Sequence, residues 1–368
     1  MSEDTGVGVP FMKGLELSEA LYDDAVKPIL DEHYPGLRYS AVHIGSGSDV
    51  LGFDTAQSTD HDWGPKLLLF LEDSEHEQKA GEISTYLSHN LPHTIRGFPT
   101  NFGKHDDETS VMVQPKEYPI NHGVRIETIS GYFENYLGIN PQKELTVIDW
   151  LIVPEQFLRS VTSGKVFYDG LNELESIRTE LEYYPHDVWL YLLSNQWRRL
   201  SQEIHFMGRC GQVGDDLGSR LIAARLVHDI MKLCFLMEKK YAPYIKWFGT
   251  AFSQLSCSGE LTPHLLQSLT AENWEERQKR LVPTYEYVAR MHNELGITDS
   301  IEDKVSSFHN RPFLIIQAED FAEVIYSQIK DDKVKSLPKW LGSVDQFSDS
   351  TDVLAYQDKL RKLRILYK

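Results

Sequence analysis

The chain has 368 residues, 41% of them hydrophobic and 25% charged, with a formal net charge of −18. That length suits two domains of ordinary size, and the apolar share excludes a mainly disordered chain. Residues 1–150 carry 10 Lys and Arg against 25 Asp and Glu, a formal −15, while the rest is close to balance at −3. A duplex nucleic acid, which draws on clustered cations, is therefore not an expected partner.

Residues 1–10 contain Glu3 and Asp4 and no apolar stretch, unlike a secretion signal. Leu15–His33 places Leu17, Leu21, Ala25 and Ile29 at helical spacing and stops at Tyr34-Pro35-Gly36, which predicts one helix. Tyr39–Ile44 reads as a strand entering the turn Gly45-Ser46-Gly47-Ser48. A second strand is expected over Asp60–Leu71, with a bulge at Gly64-Pro65, followed by an amphipathic helix over Glu75–Leu91. Thr109–Val113 and Val124–Ile129 read as further strands. The best apolar run, Leu67–Leu71, falls far short of the roughly 20 residues that span a bilayer.

Beyond about residue 145 long amphipathic stretches dominate, among them Asp187–Met207, Leu217–Glu238 and Asn273–Leu295, and strand signals are sparse. The expected organisation is α+β: a mixed module over residues 1–150 and an all-α helical bundle over residues 151–368. Three cysteines, Cys210, Cys234 and Cys257, lack paired spacing and read as buried free thiols of a reducing compartment. A cytoplasmic protein with no membrane partner is expected, and the apolar helices leave room for a homodimer.

The stretch that carries chemistry is Ile44-Gly45-Ser46-Gly47-Ser48 followed by Asp60-His61-Asp62. Along a strand, residues two apart face the same way, so Asp60 and Asp62 would point together and His61 and Trp63 oppositely. Two carboxylates on one face suit a hard divalent cation such as magnesium, which takes carboxylate and phosphate oxygens. A Gly-Ser turn after a strand offers backbone N–H groups to a phosphate at close approach. Together these meet the needs of in-line phosphoryl transfer. In Val124–Ile129, Glu127 falls in an alternating strand pattern, while Asp149 lies in a setting that reads as a helix start. Lys246, among aromatic residues, is a candidate cation for the triphosphate.

The strand, Gly-Ser turn and Asp-x-Asp resemble the nucleotidyltransferase fold shared with DNA polymerase β. The layout with a helical domain behind the catalytic module resembles aminoglycoside nucleotidyltransferases. Gly45–Phe53, Asp60–Pro65, Tyr183–Trp189, Gln196–Arg199, Gly208–Arg225, Tyr241–Phe252 and Val344–Leu354 are similar to a largely bacterial, uncharacterised family of that superfamily. The resemblance implies a nucleotidyltransferase-fold mixed sheet with flanking helices. It further implies that Gly47 and Ser48 bind nucleotide phosphates, with Lys246 in support, and that Asp60 and Asp62 hold magnesium. A third carboxylate, taken as Glu127, would complete the metal site or act as general base. The expected activity moves a nucleoside monophosphate, AMP from ATP, to a hydroxyl of a small-molecule acceptor. Other readings are a nucleotide-binding sensor or partner-docking protein without transfer, and a transferase acting on a protein or tRNA.

Overall fold

The computed structural model describes residues 9–104 and 109–368, so residues 1–8, with Glu3 and Asp4, lie outside the description. Helix α1 (Gly14–Leu21) runs through a π-helical turn at Tyr22–Val26 into α2 (Lys27–His33). The helix expected over Leu15–His33 is thus present with one wider turn inside it. Strand β1 (Tyr39–His43) follows, then a 3₁₀ turn at Ala56–Asp60, strand β2 (Lys66–Leu71) and helix α3 (Asp73–Asn90). Two short antiparallel ladders come next, β3 (Thr94–Ile95) with β4 (Phe98–Pro99), and β5 (Phe102–Lys104) with β6 (Ser110–Met112). Strand β7 (Gly123–Thr128) leads directly into α4 (Ile129–Tyr136), capped by the Thr128 hydroxyl, which accepts from the Gly131 N–H.

Helices α5 (Val147–Ile152) and α6 (Glu155–Thr162) precede strand β8 (Lys165–Asp169) and helix α7 (Leu174–Glu180). The main sheet has the order β7-β2-β1-β8, antiparallel at β1 and parallel between β2 and β7. Its fourth strand lies beyond the boundary expected at residue 150. The chain divides into two compact units, residues 1–144 with 157–182, and residues 145–156 with 183–368. The segment Lys165-Val166-Phe167-Tyr168-Asp169 is too short and too mixed to announce itself as a strand between helical stretches. Pairing with β1 is what makes it one.

The first unit is therefore α+β with a mixed sheet. One face of the sheet is closed by helices. Leu67, Leu69 and Leu71 of β2, Tyr39 and Ala41 of β1 and Val124 of β7 pack against Leu17 and Leu21 of α1, Leu30 of α2, and Ile83 and Leu87 of α3. Alternation then sends Lys66, Leu68 and Phe70 to the other face, where α4 lies with its Tyr132 ring 5.4 Å from Phe70.

The second unit is helical. Its long helices are α8 (His186–Glu203), α9 (Phe206–Gln212), α10 (Asp216–Met237), α11 (Ile245–Phe252), α12 (Ser258–Thr270), α13 (Trp274–Glu294) and α14 (Ala318–Ser327). Helix α8 buries almost its whole circumference from Val188 to Trp197, which reflects a central position in its unit. Only the two-residue strands β9 (Ser306–Ser307) and β10 (Leu314–Ile315) interrupt the helical pattern among the described residues. No described helix is long and apolar enough to cross a membrane. Cys234 and Cys257 are buried free thiols as expected, while Cys210 is only partly covered.

Candidate functional site

The strand expected over Asp60–Leu71 begins only at Lys66. Asp60 closes the 3₁₀ turn, and Asp62 takes a left-handed conformation at φ 49°. Its partner in this bend is Ser110. The Asp62 N–H donates to the Ser110 carbonyl at 2.7 Å, and Asp62 Oδ1 accepts from the Ser110 N–H and hydroxyl, both at 2.9 Å. Gly64 at φ 140° and Pro65, which has no N–H, complete the irregular segment. The two aspartates thus sit in a turn and a bend held by Ser110, not on an alternating strand. Trp63 turns inward, its indole N–H donating to buried Asp54 at 3.1 Å.

Both aspartates are exposed. Asp60 Oδ1 accepts from the His61 N–H at 2.9 Å and lies 2.9 Å from the His61 ring nitrogen. Among the described residues, no donor reaches the second carboxylate oxygen of either aspartate. Two exposed carboxylates, each with an open oxygen, fit a hard cation whose remaining ligands are waters and phosphate oxygens.

Glu127 does not join them. In the parallel register Glu127 stands opposite Phe70 and Gly123 opposite Lys66, so Glu127 lies about 13 Å along the strand from the level of Lys66. Its Oε1 accepts from the Arg125 guanidinium at 2.8 Å. Asp149 lies in the helical unit, where it forms a capping box with Thr146 at the start of α5 and an ion pair with Arg364 at 2.5 Å. The described residues hold no group of three or more His, Cys, Asp or Glu side chains suited to a metal. Register places Glu127 four residues along the strand pair from Lys66, and the described residues form no metal-suited group of three with it.

The glycine-rich turn is built around an acid. Gly47 sits at φ 152°, and a Cβ there would lie 2.1 Å from Asp49 Oδ1. Asp49 Oδ2 meets His43 Nε2 at 2.7 Å inside the protein. Burial pushes the Asp49 carboxyl up, but the His43 hydrogen bond and charge, with Lys66 nearby, hold it below its usual range. The turn is further fixed by the Gly45 N–H donating to the Ser160 carbonyl and the Phe53 N–H to the Ser48 carbonyl.

A cavity of about 400 Å³ opens on the sheet face that carries Lys66 and Leu68. Its lining includes Gly45, Ser46, Lys66, Arg125, Tyr132 and Tyr136. The first half of the turn, Gly45-Ser46, borders this space; Gly47 and Ser48 are not among its lining residues. The Ser46 hydroxyl pairs with the Tyr136 hydroxyl at 2.9 Å, and Tyr136 with Ser160 at 2.8 Å. Lys66 donates to the Asp62 carbonyl at 2.5 Å, and burial lowers its pKa below the ordinary lysine range against the pull of Asp49 and Asp62.

Sequence reading missed Lys66, Arg125 and the tyrosines. The usable signals were a lysine opening the otherwise apolar Lys66–Leu71 and the four-residue spacing of Tyr132 and Tyr136, which stack at 5.5 Å and 9°. Lys246 lies on α11 in the helical unit, exposed, with its ammonium 5.0 Å from the Trp247 ring centre. A larger depression of about 630 Å³ in that unit, lined by Arg290, Glu294, Glu302 and Asp303, is open to solvent.

Among known families, one described as a domain of unknown function (DUF4037) matches residues 150–248. No curated protein matches the chain. Among solved structures, a nucleotidyltransferase-like protein from Exiguobacterium sibiricum is similar at 13% identity and a TM-score of 0.32, over 78% of this chain and 83% of that one.

Proposed function

We propose that the protein is a magnesium-dependent nucleotidyltransferase that moves AMP from ATP to a hydroxyl of a small-molecule acceptor. The observation that carries this reading is the neighbourhood of Asp62: an exposed carboxylate with an open oxygen, whose own carbonyl is bonded by the Lys66 ammonium of the sheet-face cavity. Asp60 and Asp62 would hold the cation. Bound magnesium supplies charge neutralisation along the phosphate chain.

The chain's own part is orientation and shielding. The turn at residues 45–48, kept in shape by Asp49, presents backbone and a small hydroxyl at the cavity rim. The sheet-face side chains give a partly apolar surface against which a nucleotide can be placed. In the transfer the acceptor hydroxyl gives up its proton to water as its oxygen bonds to the α-phosphorus, the bond from phosphorus to the bridging oxygen breaks, and pyrophosphate leaves. Glu127, whose Oε1 accepts from the Arg125 guanidinium, is not required for this step. In this reading Gly47 and Ser48 act by shaping the turn.

The test is pyrophosphate release by the full chain with ATP, magnesium and a panel of hydroxyl-bearing small molecules, with proteins and tRNA as further acceptors. Asp60→Asn and Asp62→Asn are expected to lower turnover at least about 100-fold while the circular dichroism spectrum stays unchanged. Full turnover in both variants would sink the reading. ATP binding without release on any acceptor points instead to a sensor.

A further inference from the structure

The Lys66 side chain lines the cavity with its hydrogen bonding only partly filled. An ammonium has three N–H donors. Lys66 uses one, toward the Asp62 carbonyl, and its nitrogen lies 5.6 Å from the centre of the Phe102 ring. Among the described residues it forms no ion pair: Asp49 and Asp62 act on it through space, and no carboxylate oxygen comes within 4.0 Å. A partly covered ammonium at a cavity wall has donors left over for water or for the acceptors of a ligand.

A second observation points into the same space. Among the described residues the buried Tyr132 hydroxyl has no hydrogen-bond partner, and Tyr132 lines the cavity with Lys66. Its position is set from the turn side as well, because a Cβ on Gly45 would lie 2.7 Å from it. Arg125 also lines the cavity, with one guanidinium nitrogen bonded to Glu127. Lys66 can only donate and the Tyr132 hydroxyl can donate, so the two lining groups suit an acceptor-rich anion.

We infer that Lys66 and Tyr132 form the phosphate-holding end of the cavity, with Lys66 gripping non-bridging oxygens of the nucleotide's phosphate chain. This rests on the nucleotide reading above. It adds a strand residue directly downstream of the two aspartates as the group that fixes where the chain of phosphates lies. Because Lys66 reaches the backbone of Asp62 itself, an anion on Lys66 is held next to the carboxylate that would share the cation.

The experiment is calorimetric titration of the full chain with inorganic tripolyphosphate in the absence of metal, then with ATP and magnesium. Wild type is expected to bind both, and Lys66→Met to bind tripolyphosphate at least about tenfold more weakly, the usual scale for a lost charged hydrogen bond. Tyr132→Phe, which removes only the hydroxyl, is expected to weaken it about threefold. If Lys66→Met disturbs folding, Lys66→Gln gives the same reading with a polar side chain of similar length. Equal tripolyphosphate binding by wild type and a folded Lys66 variant, or none by wild type, overturns the inference. The two proposals separate cleanly. Lys66-dependent binding with no pyrophosphate release sinks the transferase reading alone. Transfer with an unchanged KM for ATP in the Lys66 variant sinks the Lys66 role alone.

Discussion

Two lysines, one in each unit, show how differently this chain treats a charge taken out of water. Lys232 of α10 is enclosed in the helical unit, 3.5 Å from Glu155 Oε1, with Asp345 and Asp229 close enough to act on it. Burial lowers its pKa, but Glu155 and Asp345 outweigh that and leave it raised. Its acids are themselves occupied: Glu155 Oε2 accepts from the Ala242 N–H at 2.7 Å, and Asp345 Oδ2 from the Glu155 N–H at 3.0 Å. Lys66 is less buried yet less satisfied, and its pKa moves the other way. Burial of a charge alone does not mark a binding site; donors left unfilled beside a cavity do.

Breaking that comparison starts with Lys232→Met. Removing the cation leaves Glu155 and Asp345 buried without it, and about 3–5 kcal/mol of stability is expected to go, read from the denaturant midpoint of the full chain. Lys66→Met should cost far less, because its partner is one carbonyl. Similar losses at both positions would erase the distinction.

Asp345 sharpens it through pH. Burial raises its carboxyl from 3.8 to about 6, with Lys232 pulling it down and Glu155 pushing it up. A group raised in the folded state contributes its stability fully below about pH 4, and that contribution fades as pH climbs through 6. The wild type should lose on the order of 2 kcal/mol across this window, and Asp345→Asn should flatten the slope. An unchanged slope in thermal midpoint between pH 4 and 7 would argue that Lys232 holds Asp345 ionised throughout.

The smallest expected effect belongs to the turn. Gly47→Ala forces a Cβ onto Asp49 Oδ1 at φ 152°, so Asp49 must leave its place against His43. A loss of about 1–2 kcal/mol is expected. A larger fall in ATP affinity than in stability would show that the turn's shape serves the ligand, and no change in either would remove Asp49 from the account.

Much of the first unit was legible because its signals are local. The apolar run Leu67–Leu71, the helical spacing of Leu17, Leu21 and Ala25, and the glycines of the turn each state their own conformation. The helix carrying Asp149 was legible for the same reason, since Thr146 and Asp149 form a capping box within four residues. The π turn in the first helix, the late start of β2 and the strand β8 were not, because each depends on a partner distant in sequence. Asp62 bends as it does because Ser110 binds it, and Lys165–Asp169 extends because β1 is there to pair.

The amino-acid sequence by itself determined that this is an acidic chain with a mixed α/β front and a helical remainder, and that two aspartates stand two apart after a glycine-rich turn. Periodicity and turn chemistry are written in neighbouring residues. Only the tertiary structure decided that Glu127 stands opposite Phe70, that Gly45 and Ser46 border the cavity, and that Lys66 and Tyr132 both line it. Those facts follow from strand register and from which face of the sheet the fourth helix covers, and both are fixed by contacts between residues far apart along the chain.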